Sequence, residues 1–302
     1  MFTKIIVGWD GSDQAADALA LGGQLSNGSG ADLIVAHIAL MNPLMRGGVD
    51  ELKLEQESEF TERAEAAARA AGGRVHTVES TSPGRGLHQL AEEIGADLVV
   101  VGSSQHGRLG QTLVGNVAAA LLHGASCAVA VAPMGYRERA NETISTIVVG
   151  YDGLPESKLA LEPAFELARA TGAAVELIAV VETPPIMAGK GGGAIERRAL
   201  RDAIQEQMSQ RLQAARASLP DDVEVELRLI DGKPAEVMAE QAQRPGVILV
   251  TGSRGYGPVR RVLLGSVSRA LVDRAPAPVI MYPRGAEDTT EPRESSAAES
   301  TV

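Results

Sequence analysis

Aromatic residues and cysteine are scarce: Phe, Trp and Tyr make up 3% of the 302 residues, and Cys127 is the only thiol. One thiol excludes an internal disulfide and a cysteine-rich metal site. It is read as a buried, inert side chain in an apolar strand. With so few rings, the core must be built from Ala, Val, Leu and Ile. The composition, 44% hydrophobic and 22% charged, is that of an ordinary globular chain. Basic side chains are outnumbered 28 to 39, for a formal charge of −11. That argues against a nucleic-acid partner, because duplex or strand binding needs a basic face. A small nucleotide stays open, since backbone N–H groups can hold its phosphates. No apolar run approaches the ~20 residues of a membrane span. Met1-Phe2-Thr3-Lys4-Ile5 runs straight into a strand-like stretch with no signal-peptide pattern. The expected address is the cytoplasm, with no membrane partner.

At ~150 residues per domain the length suggests two domains, and the chain repeats itself. IIVGWDG at 5–11 returns as IVVGYDG at 147–153, an offset of 142. Asp97–Ser103 matches Val247–Ser253 and Cys127–Pro133 matches Ala277–Pro283, both at 150, so the second copy carries a net insertion of eight residues, placed between 182 and 231. The expected domains are 1–135 and 145–284, joined by a polar linker, with an acidic, disordered tail over 285–302. In the first copy, continuous apolar runs near 4–8, 32–38, 74–79, 97–101 and 127–131 read as strands buried on both faces. Helices are expected over 13–27, capped by Ser12, and over 50–72, 86–95 and 112–124. The second copy repeats the order, with its long helix near 193–218. The fold class is α/β: two tandem doubly wound, Rossmann-like units, each a five-stranded, mostly parallel sheet with helices on both faces.

In such sheets ligands bind beyond the carboxyl ends of the strands, where strand order reverses. Asp10 and Asp152 end the first strand of each copy, and Ile38 and Val180 lie near the end of the second. The loop after the fourth strand reads Gly252-Ser253-Arg254-Gly255, and Gly265-Ser266-Val267-Ser268 then opens a helix. Glycine permits close backbone approach, and a helix start offers N–H groups and a positive dipole end to an anion. Ser266 and Ser268 add hydroxyls, and Arg254, Arg260 and Arg261 add charge. The set reads as a phosphate cradle. Plainer readings stand beside it. Asp-Gly pairs also make turns, and glycines also punctuate strand-to-helix joints. The arginines also fit a solvated face. His37 is read as a satisfied core histidine. Trp9 and Tyr151 are read as packed under a helix. His106 and His123 have no ligand spacing, so no metal site is expected. The Glu-rich stretch over 50–65 reads as a wet helix face.

The pattern G-x2-G-x9-G-[S/T] at Gly252, Gly255, Gly265 and Ser266 resembles the ATP-binding signature of the universal stress protein family. The strand-end Asp, the paired repeats and the proline after the last strand resemble that family too. The resemblance covers nearly the whole chain as two tandem domains. It implies that Asp152 lines the adenosine part of a pocket and that the Val180 backbone meets adenine. It implies that Gly252, Gly255, Gly265, Ser266 and Val267 wrap ribose and phosphates, with Mg2+ riding on the phosphates. The first copy departs from the pattern. Asp10, Ile38, Gly102, Gly107, Gly115, Asn116 and Val117 are its candidates, but Gln105 stands where the second glycine belongs, Asn116 replaces the serine and Ala118 replaces Ser268. The resemblance also implies pairing of the copies through their last, apolar strands, expected at the sheet edge, as an intramolecular pseudo-dimer. A homodimer of chains building on it is a further expectation. The function implied is an ATP-binding regulator that uses the nucleotide as a switch. No Walker lysine, nucleophile elbow or HExxH motif points to fast catalysis. The alternatives are a slow ATPase or a protein that phosphorylates itself on Ser266 or Ser268, and a scaffold that binds no nucleotide.

Overall fold

The computed structural model describes residues 1–41, 51–103, 116–122, 125–182, 194–252 and 265–283. The first half runs β1 (Lys4–Trp9), α1 (Asp13–Ser29), β2 (Asp32–Leu40), α2 (Glu51–Ala70), β3 (Arg74–Ser80), α3 (Pro83–Ile94), β4 (Leu98–Gly102), α4 (Asn116–Leu122) and β5 (Ala128–Ala132). A 3-10 turn, Tyr136–Arg139, lies in the connector. The second half runs β6 (Thr146–Gly150), α5 (Pro155–Leu159), α6 (Leu161–Thr171), β7 (Ala174–Val181), α7 (Ala194–Ala217), β8 (Val225–Asp231), α8 (Pro234–Gln241), β9 (Val247–Gly252), α9 (Ser266–Arg274) and β10 (Val279–Tyr282).

The strands fall where the apolar runs predict them, because each is dry on both sides. Ile5, Ile6 and Val7 are consecutive and fully buried, as a parallel strand covered by helices on both faces requires. The order is β3-β2-β1-β4-β5-β10-β9-β6-β7-β8. All neighbours are parallel except β5 and β10, which pair antiparallel with Ala130 opposite Ile280. Expected at an edge, these two strands are the outer strands of their own five-stranded sheets. By pairing with each other they sit at the centre of a ten-stranded sheet, whose edges are β3 and β8. An apolar strand with open N–H and C=O groups is thereby covered. One core layer holds Leu25, Phe165 and Leu212, and so packs α1, α6 and α7 on one face. The other holds Leu87, Leu121, Met238 and Leu271 from α3, α4, α8 and α9.

Two helix boundaries differ from expectation for local reasons. α3 starts at Pro83 rather than 86, because the Ser82 hydroxyl accepts from the Arg85 N–H (3.4 Å) and proline is suited to the first turn. The counterpart of α1 is split into α5 and α6 at Ala160. Pro163 has no N–H to give the Leu159 carbonyl, and its ring crowds that carbonyl. In the first half Leu21 occupies the repeat-related position and α1 is unbroken. Ser12 caps α1 as expected, its hydroxyl accepting from the Ala15 N–H at 3.1 Å. The Cys127 thiol is buried, and burial, with the nearby Asp97 charge, pushes it up to about 12. The Glu-rich face is wet where its side chains are described, at Glu59, Glu62 and Glu65. The tail expected over 285–302 lies outside the described residues.

A charged cluster stands on the face of β7. Glu176, 7% exposed, accepts from Arg244 (2.6 and 2.9 Å) and from Arg228 (2.9 Å). Burial alone would raise its carboxyl, but the two guanidinium groups outweigh burial and hold it below the ordinary value near 4.5. A depressed folded value gives stability that is complete above the unfolded value and is lost as pH falls through the folded one. Glu176→Gln is therefore expected to destabilise the protein at pH 7 by about 1–3 kcal/mol. It should also flatten the loss of stability below pH ~4.5, as read by urea denaturation across a pH series.

Candidate functional site

Parallel order brings three strand ends together in each half. In the second half β6 lies between β9 and β7, and strand order reverses at β6 and β9. The registers set Val149 beside Val250 and Gly150 beside Ile178. Asp152 and Gly252 thus emerge next to each other, with Val180 on the other side of Asp152. In the first half β1 lies between β4 and β2. Val7 pairs with Val100 and Trp9 with His37, which places Asp10, Gly102 and Ile38 in the same arrangement.

Asp152 is exposed. Its Oδ1 accepts from the Leu154 N–H at 3.0 Å, an Asx turn, and Oδ2 has no partner among the described residues. Asp10 makes the same turn and is held more firmly. Its Oδ1 accepts from the Ser12 N–H (3.0 Å) and from the Ser12 hydroxyl (2.5 Å), which itself caps α1. The turn-forming role is thus present in both copies, and Asp152 is the less committed carboxylate.

The strand-end glycines have a packing reason. A Cβ on Gly252 would lie 2.0 Å from the Glu156 carbonyl oxygen, and one on Gly102 would lie 2.2 Å from the Gln14 carbonyl oxygen. The first turn of α5 or α1 leans directly on the strand end, and only glycine fits. Gly265 is buried and precedes the first turn of α9, with Ser266 exposed and Val267 half-buried behind it. Ser268 points the other way. It is 5% exposed, and its Oγ lies 3.4 Å from Thr251 Oγ1. At the repeat-related positions the first half has Val101 and Ala118, both buried. Ser268 and Thr251 form an internal hydroxyl pair where the first copy has an apolar one. Ile38 and Val180 are half-buried and pack on the same core layer, as does Val117. Asn116 opens α4. Ser253, Arg254, Gly255, Arg260 and Arg261 lie outside the described residues, as do Gln105, Gly107, Gly115, His106 and His123.

Sequence reading missed an arginine over each Asp-Gly turn. Arg211 of α7 donates from Nη1 to the Asp152 carbonyl at 3.0 Å, and its stem lies 2.7 Å from where a Gly153 Cβ would stand. Arg63 of α2 lies 3.9 Å from the equivalent point at Gly11, where Phe60 approaches to 3.2 Å. The only signal was an Arg at an offset of 148, between the offsets of 142 and 150 that bracket the insertion. His37 corrects one expectation. It is half-buried and packs on Phe60 at 4.2 Å between ring centroids, but its Nδ1 is buried with no hydrogen-bond partner among the described residues. Tyr151 is buried, and Trp9 packs against the same layer, as expected. No His, Cys, Asp or Glu cluster fit for a metal occurs among the described residues. Nor does any helix there have the length and hydropathy to cross a membrane.

The model of the universal stress protein family matches residues 1–133 and again 143–283. The chain therefore belongs to that family, as two tandem copies. One universal stress protein of Mycobacterium tuberculosis is 36% identical over 188 residues, covering 61% of this chain and 58% of that protein. A second from the same organism is 33% identical over 186 residues, covering 62% and 61%. The matched region thus spans about three fifths of these curated relatives. The crystal structure of a universal stress protein from Archaeoglobus fulgidus shares the fold, with a TM-score of 0.65 at 18% identity, covering 93% of this chain and 98% of that one.

The packing separates residues that seat the strand ends from exposed ones at the helix start. Gly252→Ala is expected to cost about 1–3 kcal/mol through overpacking against α5, whereas Ser266→Ala at an exposed first-turn position stays within about 0.5 kcal/mol. Chemical denaturation of the two variants, without added ligand, checks this.

Proposed function

We propose that the second half binds an adenine nucleotide, ATP accompanied by Mg2+, at the carboxyl ends of β6, β7 and β9, and that the bound nucleotide acts as a switch rather than a rapidly turned-over substrate. The observation that carries this reading is that Asp152, with a carboxylate oxygen lacking a described partner, and Gly252 leave adjacent strands where strand order reverses, while Ser268 in the first turn of α9 packs on Thr251 at the end of β9. The residues fit the group. A nine-residue helix presents its first N–H groups and an exposed Ser266 hydroxyl, which suit phosphate oxygens. The half-buried Val180 offers an apolar flank with backbone beside it. Asp152 is a hydrogen-bond acceptor for ribose or base. Mg2+ would supply charge neutralisation on the phosphates. Ser253, Arg254 and Gly255 belong to the proposal on the spacing of the sequence alone.

Occupancy is proposed for the second half and not the first. Asp10 is already bound by the Ser12 hydroxyl, Asn116 replaces Ser266, and Val101 and Ala118 replace the Thr251–Ser268 pair. Self-phosphorylation at Ser268 is disfavoured because its hydroxyl is buried against Thr251. A cytoplasmic setting and association of chains through surfaces outside the β5–β10 seam complete the proposal.

Denaturing the purified protein and counting the released nucleotide by anion exchange tests it. One ATP per chain is expected, and none from Asp152→Ala. In titration, ATP at 100 times its Kd should add ~2.7 kcal/mol to the stability of the native chain and little to the variant. Two nucleotides per chain would return the first half to the proposal. No nucleotide and no thermal shift on titration would overturn it in favour of a scaffold.

A further inference from the structure

Two grooves flank the seam between the halves, at positions related by the sequence repeat. One, lined by Ile144, Val247, Ala277 and Pro278, is filled by the connector, leaving about 10 Å³. There the N–H groups of Gly135 and Arg137 donate to the two oxygens of Asp17 at 2.8 and 3.0 Å. The Tyr136 hydroxyl donates to Gln24 at 2.5 Å, and Arg139 donates to the Pro276 carbonyl at 2.6 Å. The repeat-related groove is lined by Phe2, Asp97, Cys127 and Ala128 and has a volume of about 410 Å³. Its far wall is Leu159, Pro163 and Glu166 of α5 and α6, the counterpart of α1. Pro283, where the described chain leaves β10, stands in its lining.

We propose that residues 284–292 occupy this second groove, following along α6 the path that the connector takes along α1. Three observations carry it. First, the chain leaving each terminal strand begins alike. Pro133-Met134-Gly135 returns as Pro283-Arg284-Gly285, and Gly135 takes the left-handed conformation (φ 77°) that turns the connector into its groove. Second, 19 residues of the sequence follow Pro283. A segment tethered at the groove mouth acts at an effective concentration in the millimolar range, so weak contacts suffice. Third, the groove is lined by two carboxylates, Asp97 and Glu166, and one cation, the Met1 ammonium, which leaves it net acidic, and the first residue of the segment is Arg284. Asp97 uses Oδ2 for Thr3 and Lys4, Glu166 meets the Met1 ammonium, and the Tyr282 hydroxyl is buried without a partner among the described residues. The two grooves hold their occupants differently. Leu159 stands in the place of Asp17 and Ala286 in the place of Tyr136, so the counterparts of the Asp17 and Tyr136 anchors are missing and the contact is reversible.

Cys127, the only thiol, lies in the groove wall and reports on its cover. The test compares the rate at which a small aromatic disulfide labels Cys127 in the full chain and in a chain ending at Pro283. The shortened chain is expected to react several-fold faster. A peptide of residues 284–302 added in trans should restore protection in a saturable way, which also shows that the shortened chain is folded. Arg284→Glu in the full-length chain should raise the rate without any deletion. Equal rates in the full and shortened chains would overturn the proposal. So would protection that persists in the shortened chain and grows with protein concentration, which would assign the groove to a second copy.

Discussion

A parallel strand flanked by strands on both sides and helices on both faces has no wet surface, and this constraint shapes the whole chain. It demands near-continuous Val, Ile, Leu and Ala in the strands, seen at Ile5-Ile6-Val7 and again at Ile147-Val148-Val149, all fully buried. It demands a helical crossover between successive parallel neighbours, and hence two helix layers. Because every crossover returns on the same sense, all strands within a half end on one side. The three strand ends at which Asp152, Val180 and Gly252 stand meet there for that reason, and so do their first-half counterparts. The site follows from connectivity first and from particular side chains second.

Much of this was legible in the sequence because its signals were local. The strand runs, the Ser12 cap and the duplicated Asp-Gly turns each depend on a few consecutive residues. What escaped was non-local. The Glu156 carbonyl that forbids a Cβ on Gly252 belongs to another element, so that glycine reads equally well as a ligand contact or a packing requirement. Arg211 reaches the Asp152 turn from a helix that follows an insertion, where the repeat offset is changing. The Ser268 hydroxyl reads as a ligand donor until the fold turns it toward Thr251. The break at Ala160 was within reach, since Pro163 sits inside an otherwise helical pattern, but similarity to the unbroken α1 masked it.

The two halves share a backbone plan and differ in how their polar groups are used. In the first half Asp10, Ser12 and the start of α1 form a connected chain of hydrogen bonds, and the interior behind α4 is apolar at Val101 and Ala118. In the second half the residue at the Ser12 position is Leu154, α5 has no side-chain cap, and a pair of hydroxyls stands behind α9. The same carboxylate oxygen thus accepts two hydrogen bonds in the first copy and one in the second. This is the physical basis for assigning different roles to sequences that are still recognisably the same.

Joining β5 to β10 within one polypeptide changes the statistics of that contact. Two separate subunits would meet with a probability set by their abundance, and dilution would part them. Here the encounter is unimolecular and insensitive to dilution. In a symmetric pair every substitution is also forced onto both sides of the interface at once. In a fused chain Tyr282 can face one way while Ala132, its repeat-related residue, stays small. The seam can therefore accept one-sided changes, and the asymmetry of the grooves and of the two strand-end sites is the kind of divergence that this freedom permits.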